Sequence, residues 1–301
     1  MAVTVIAGGK TVGWEGDGAD FTITPVESVA TPDDEPTYGW PGLEDRGARW
    51  FWFREHGLIA DFVGTATFDL DAKNGLIKVA AQCNDALVEH LVLDHLVSMY
   101  LASTDRIVVH GALVSKNGCG VILHAPSGTG KSTTAAYLEA NGWALHGDDG
   151  VVVHGSPPLA QATYGSLRLL RNSLEMLDIN DAEYLTIGKS RPRTATFAPG
   201  EVPLKLVVAM ERDGDCESSL DHLGGVDAWV KLVQACFVAD VKDPQHRQQQ
   251  VDQSMSVIGD VAVARLKMGD GVDGLQQAEA LLAETIGQRA EAGERTMKVG
   301  G

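Results

Sequence analysis

The stretch Ala125-Pro126-Ser127-Gly128-Thr129-Gly130-Lys131-Ser132 has the residue types needed to hold a polyphosphate. It fits the pattern G-x-x-x-x-G-K-[ST] at every required position but the first, where alanine replaces glycine. Gly128 and Gly130 let successive backbone N–H groups turn inward around an anion. The amides of Ser127 through Thr133, together with the N-terminus of the helix that follows, form the expected anion site. Lys131 then reaches the outer phosphates and Ser132 ligates magnesium. Alanine at the first position asks only that the preceding strand exit with negative φ. The expected ligands are the triphosphate of ATP or GTP, with ATP and Mg2+ as the working assignment.

Asp148 lies 17 positions after Lys131 and is followed by Asp149 and Gly150. In a strand–loop–helix–strand unit this distance carries the chain down the helix and back up a neighbouring parallel strand, to the carboxyl edge beside the loop. A carboxylate there can accept a hydroxyl proton during attack on a γ-phosphate, or hold magnesium through water. With two adjacent aspartates, one can point at the substrate while the other orients it or contacts the metal. Ser132 and Asp149 are the expected metal ligands. The alternative is that Asp-Asp-Gly is an acidic turn and nothing more.

His110 enters through register. Asn117-Gly118 predicts a two-residue hairpin turn between apolar strands at Ile107–Ser115 and Cys119–His124. Lys116 then pairs with Cys119, and His110 falls opposite Ala125, level with the start of the loop. A histidine there can pair with a catalytic carboxylate or meet phosphates. A one-residue slip would turn it away.

The elements that must position these residues are legible in outline. A helix is expected over about 131–140, stopped by Asn141-Gly142. Strands are expected at Trp143–His146, Val151–His154, Leu204–Met210 and Val261–Leu266, with helices near 226–237, 246–256 and 275–286. Thr186–Pro199 reads as a polar, basic loop. Upstream, short strands lead through an Asn74-Gly75 turn to a helix over about 85–102. There His90, Asp94 and Ser98 recur at every fourth position, and the apolar residues between them predict a broad buried face. These elements give a small α+β N-terminal domain over 1–85, an α/β phosphate-loop domain with a mixed sheet over 86–290, and a flexible tail over 291–301.

Composition restricts the partners. The 301 residues carry 24 basic and 41 acidic side chains, a formal net charge of -17. Such a surface repels nucleic-acid backbones and leaves the phosphate site to make its own local positive potential. Four cysteines with no CxxC spacing fit a reducing compartment. The expectation is a cytoplasmic chain with no signal peptide and no membrane span, for which an oligomer stays open.

His110-Gly111, Ala125–Ser132 and Asp148-Asp149, in this order and spacing, resemble the HPr kinase/phosphorylase fold group. The layout is nearer to the smaller HPr-kinase-like serine kinases that tailor peptide natural products such as lasso peptides. The resemblance covers about 85–155. It continues more loosely through Tyr164-Gly165-Ser166-Leu167-Arg168, the strand Leu204–Met210 with Glu211-Arg212, and Ala264-Arg265-Leu266. It implies a kinase domain of the HPr kinase C-terminal type acting on a serine hydroxyl of a peptide or protein. Carried over, Asp148 is the base, Asp149 its neighbour and His110 its orienting partner. Lys131 and Ser132 handle phosphates and magnesium, and Arg168 joins the nucleotide site. Lys189, Arg191 and Arg193 are further cations that could close over phosphates.

The sequence departs from the HPr-directed pattern in lacking a downstream glutamate motif that we can place, and in a C-terminal helix that is not basic. A peptide acceptor is therefore expected ahead of HPr. A small-molecule kinase and a nucleotide-binding regulator are the competing readings, and loss of transfer in Asp148→Asn separates either kinase from the regulator.

Overall fold

The structure is a computed structural model that describes residues 3–7, 10–13, 19–40, 47–104, 106–186, 188–214, 216–237 and 243–299. The chain forms two compact units, Met1–Val108 with Phe237–Asp252, and Val109–Cys236 with Gln253–Gly301.

The first unit is built on an eight-stranded sheet. Its strands run in the order Lys10–Gly13, Val3–Ala7, Ala19–Pro25, Leu76–Ala81, Ala66–Asp71, Gly57–Phe62, Arg49–Arg54 and Tyr38–Trp40. Alternation drives this sheet: in Ala66–Asp71 the residues Ala66, Phe68 and Leu70 are buried while Thr67, Asp69 and Asp71 are partly exposed. The Asn74-Gly75 turn is set by Asp71, whose carboxylate accepts from the Asn74 backbone and amide at 3.1 and 2.7 Å. The helix beginning at Asp85, capped by Asn84, packs on this sheet through Phe21 against Tyr100 and Phe62 against His95. These contacts place 85–102 with the first unit, beyond the 1–85 expected for the N-terminal domain.

That helix also differs from an amphipathic cylinder. Val92–Leu96 is a π turn inside it, and Asp94 and Ser98 are buried rather than solvated. The extra residue per turn rotates the predicted polar stripe inward. Asp94 is compensated by His90 at 2.6 Å.

The second unit holds the site. Three strands run parallel, Cys119–His124 beside Val202–Arg212 beside Ala262–Met268, so their carboxyl ends share one edge. Val202–Arg212 is buried without a break from Leu206 to Met210, as a parallel strand covered on both faces must be. The helices Lys131–Ala140 and Gly271–Val299 contribute Leu138, Leu275, Leu282 and Ile286 to the core with Leu123, Leu206 and Leu266. Each fully buried leucine contributes about 1.5–3 kcal/mol relative to exposure.

The hairpin forms in the predicted register. Ala112 pairs with Leu123 and Lys116 with Cys119, and Asn117 and Gly118 take φ of 53° and 72°, the positive values this turn requires.

The strand Ala144–Gly147, expected as the parallel neighbour of the loop strand, is parallel to it but not adjacent. Hairpin strand Ala112–Lys116 lies between them, antiparallel to both, because the Asn117-Gly118 turn commits it to that slot.

Two further expectations change. Lys189–Pro192 is a strand, central in a three-stranded sheet with Leu169–Leu170 and Ala182–Thr186, rather than part of a loop. The last helix continues to Val299, through most of the segment read as a tail. Among the described residues no helix is long and apolar enough to cross a membrane.

Candidate functional site

The loop strand ends at His124, and the chain turns over its sheet edge through Ala125–Gly130 into the helix that starts at Lys131. Gly128 and Gly130 have φ of 89° and 106°, the left-handed region that lets their amides turn toward an anion. Ala125 is buried, while Pro126, Ser127 and Gly128 are exposed at the loop tip and Thr129 and Gly130 are half-buried.

The strand Ala144–Gly147, one place beyond the hairpin strand Ala112–Lys116, delivers Gly147 and then the two aspartates. A Cβ at Gly147 would lie 2.4 Å from the Tyr164 carbonyl, so only glycine lets this strand pass at that distance. Asp149 has φ of 76°, strained for any residue but glycine and least so for Asp or Asn. Its N–H donates to Asp148 Oδ1 at 2.9 Å, which ties the two carboxylates into one turn.

Four buried charges meet here. Lys131 Nζ is in direct contact with Asp148 Oδ1 and lies 3.1 Å from Asp149 Oδ1. Ser132 Oγ donates to Asp148 Oδ2 at 2.5 Å. Arg168 donates to Asp149 Oδ2 at 3.0 Å and to the Tyr164 hydroxyl at 2.7 Å. Two cations thus balance two carboxylates, the condition for burying them at tolerable cost.

Burial would raise the Asp149 carboxyl, but the Lys131 and Arg168 charges overcome it and hold the group well below the usual carboxylate range. Burial likewise works against the Lys131 ammonium, and the Asp148 and Asp149 carboxylates more than offset it, so this lysine stays protonated above its ordinary range.

His110 lies just before its hairpin strand and donates from Nδ1 to the Asp149 carbonyl at 3.1 Å. Its own carbonyl accepts from His124 Nδ1 at 2.8 Å. Burial, followed by the nearby Lys131 charge, lowers the His110 pKa, so the imidazole is neutral at pH 7. His110 therefore meets the backbone of Asp149.

The structure brings Lys131, Ser132, Asp148, Asp149, His110 and Arg168 together. The Thr133 hydroxyl is buried at 2.8 Å from Ser173 Oγ, which leaves its expected part in the anion site to the backbone amide. Asp149, expected as a metal contact, is spanned by two cations, and Asp148 is the carboxylate beside Ser132. Arg193 pairs with Asp181 at 3.3 Å on an exposed surface, and Lys189 is near enough for its charge to act on Asp149.

Two residues acquire roles that residue spacing did not assign. Tyr164 buttresses Arg168. Arg212, at the carboxyl end of the strand parallel to the loop strand, donates to the Thr129 carbonyl at 3.3 Å. Its position at a parallel strand end was the available signal, but only the sheet order makes that end a neighbour of the loop.

No family model matches the chain. It is 32% identical over 151 residues to the HPr kinase/phosphorylase of Enterococcus faecalis, covering 47% of this chain and 42% of that protein. It is 27% identical over 194 residues to the HPr kinase/phosphorylase of Lactococcus lactis subsp. cremoris, covering 62% of this chain and 57% of that protein. The matched region thus spans about half the length of these curated relatives. A solved Hpr(Ser) kinase/phosphatase from Coxiella burnetii aligns over 61% of this chain and 98% of its own, at 11% identity and a TM-score of 0.33. The sequence matches, and the mixed α/β unit that carries the site, make this chain similar to HPr kinase/phosphorylases.

Proposed function

We propose that this chain is an ATP-dependent kinase that transfers the γ-phosphoryl group to a serine hydroxyl of a peptide or protein. The observation that carries this reading is the contact of both Lys131 and Ser132 with Asp148, which joins a phosphate loop to a candidate base in one buried cluster. Similarity to proteins named HPr kinase/phosphorylase supports the same reaction class.

Lys131 is neutralised by the protein's own carboxylates, Asp148 and Asp149. Entering phosphates compete for that ammonium, and its departure leaves Asp148 able to accept the proton of the attacking hydroxyl. Asp149 stays fixed by Arg168, with His110 holding its backbone.

The residues present fit magnesium. Ser132 Oγ and Asp148 Oδ2 are adjacent hard oxygen donors, and a magnesium site of this kind completes its six positions with phosphate oxygens and water. Among the described residues no cluster of three His, Cys, Asp or Glu ligands exists. Bound there, magnesium would offset charge on the transferring group. Asp149, the other carboxylate expected to hold the metal, would share that role with its ion pairs to Lys131 and Arg168.

The acceptor we favour is a serine in a precursor peptide of the lasso type. The test is incubation with γ-labelled ATP and magnesium, using serine-containing peptide pools and HPr as parallel acceptors. Label on a serine in the wild type, lost in Asp148→Asn, supports the kinase. Nucleotide binding with no label on any acceptor overturns it.

A further inference from the structure

In the three-stranded sheet of the second unit, Ala182–Thr186 lies at one edge. It pairs with Lys189–Pro192 on one side, and no described strand lies on its other side. We propose that an extended segment of the acceptor peptide pairs with this edge as an added strand, through the main-chain groups of Ala182 and Tyr184. The peptide's serine is thereby carried to the catalytic carboxylates. The proposal rests on the kinase reading and adds to it how the acceptor is held.

Register identifies which groups face outward. The Arg193 N–H donates to the Asp181 carbonyl at 3.0 Å, which makes those two residues a hydrogen-bonded pair. Along an antiparallel ladder, hydrogen-bonded and non-hydrogen-bonded pairs alternate. Ala182 opposite Pro192 is therefore a non-hydrogen-bonded pair, Glu183 opposite Arg191 a bonded one, and Tyr184 opposite Ser190 again non-hydrogen-bonded. Pro192 agrees with this phase, because it has no N–H to give.

The N–H and C=O groups of Ala182 and Tyr184 thus point away from Lys189–Pro192. They lie about 7 Å apart along the strand, the two-residue repeat that a pairing strand presents. Unpaired main-chain groups of this kind are a template for another extended chain, and strand addition is an established mode of peptide recognition. The edge is also open to solvent: Tyr184 is 69% exposed, and Glu183 beside it is exposed as well. The tyrosine offers a rigid apolar face with a polar tip to the side chains of an incoming strand.

Position ties this edge to the site. Leu169–Leu170 directly follows Arg168, which is bound to Asp149. Lys189 pairs with Leu170 on one side and Thr186 on the other, and its charge acts on Asp149. The Thr186 end of the edge strand is therefore the end toward the carboxylates. The register shifts between Tyr184 and Thr186, which ends the regular edge there. A paired peptide leaves the edge at that end and continues toward Asp148.

Charge permits the approach. Residues 181–193 carry Lys189, Arg191 and Arg193 against Asp181 and Glu183, in a chain with a formal net charge of -17. This basic island is where a neutral or acidic peptide meets the least repulsion.

The test uses the best-labelled member of a serine-containing peptide pool as the acceptor. Ala182→Pro and Tyr184→Pro each remove one outward N–H, at positions where an edge strand accepts proline. Tyr184→Ala removes the ring and keeps the N–H. The expected result is a rise of about tenfold in peptide KM for each proline variant, with kcat and ATP affinity held within about twofold. Tyr184→Ala should raise KM by only about threefold. Amide hydrogen exchange over 181–186 should also slow when the peptide is added to Asp148→Asn with ATP, a readout that needs no transfer and no folded proline variant. Unchanged exchange, or unchanged KM in two folded proline variants, overturns the proposal. A KM rise in Tyr184→Ala equal to that in the proline variants places the contact in the ring and overturns main-chain pairing. Exchange that slows with protein concentration alone assigns the edge to a second copy of the chain and overturns the peptide. ATP binding with no label on any acceptor overturns the kinase reading, and this proposal with it.

Discussion

Each compact unit buries charge, and the two do so differently. In the first, Asp94 and His90 pair at 2.6 Å along one helix, four residues apart. In the second, Lys131, Asp148, Asp149 and Arg168 come from three separate segments and meet at a sheet edge. A local pair needs only its own helix to form. The dispersed cluster exists only once the hairpin, the loop helix and the Arg168 segment have all docked. Buried ion pairs seldom raise stability over an apolar equivalent, so a cluster assembled from this distance points to chemistry, while the helical pair serves the fold.

The largest expected effect falls on the dispersed cluster. Asp148→Asn should lower phosphoryl transfer by about a thousandfold while nucleotide affinity changes only a few-fold, measured with labelled ATP and by titration. Retained transfer would remove the chemical side of the contrast.

Next is pH. The folded-state carboxyl of Asp149 is depressed, so its stabilisation is complete above the unfolded value of about 3.9 and is lost as pH falls below it. Urea unfolding should therefore separate wild type from Asp149→Asn by about 2–3 kcal/mol at pH 6, and the gap should narrow steadily below about pH 4. A gap that stays constant to pH 3 would show that the ion pairs do not set it.

In the first unit, Asp94→Asn should cost about 1–2 kcal/mol in urea unfolding and leave nucleotide affinity untouched. A change in affinity would mean that the helical pair communicates with the site.

Ser98→Ala should have the smallest effect. The Ser98 hydroxyl is buried and has no hydrogen-bond partner among the described residues, so its removal should be neutral or stabilising by up to about 1 kcal/mol. A loss of stability in thermal unfolding would mean that the hydroxyl has a partner.

Local rules made much of the site readable. The loop is a contiguous pattern whose backbone angles and following helix are fixed by Gly128, Gly130 and their neighbours, so it was visible without a fold. The hairpin register followed from Asn117-Gly118 because positive φ at both positions admits one turn geometry. The helix stop at Asn141-Gly142 is local in the same way, with Gly142 at φ of 83°.

What failed was non-local. The π turn at Val92–Leu96 rotated a polar stripe inward, which a fixed 3.6-residue period cannot anticipate. Lys189–Pro192 looked like a loop because its strand is polar and its partners lie elsewhere in the chain. The division of labour between the two aspartates was also hidden, since adjacent residues of one turn differ only in what faces them. The tertiary structure turned Asp148 toward Ser132 and gave Asp149 to Arg168.

The sequence by itself determined that a glycine-rich loop with the spacing of a phosphate loop leads into the helix Lys131–Ala140, because that feature depends on the backbone freedom of a few consecutive residues. Only the tertiary structure decided which carboxylate meets the loop serine, that Arg168 is committed to Asp149, and that Arg212 reaches from a distant strand end to the loop. Those outcomes depend on strand order and on the balancing of buried charge, which no single segment contains.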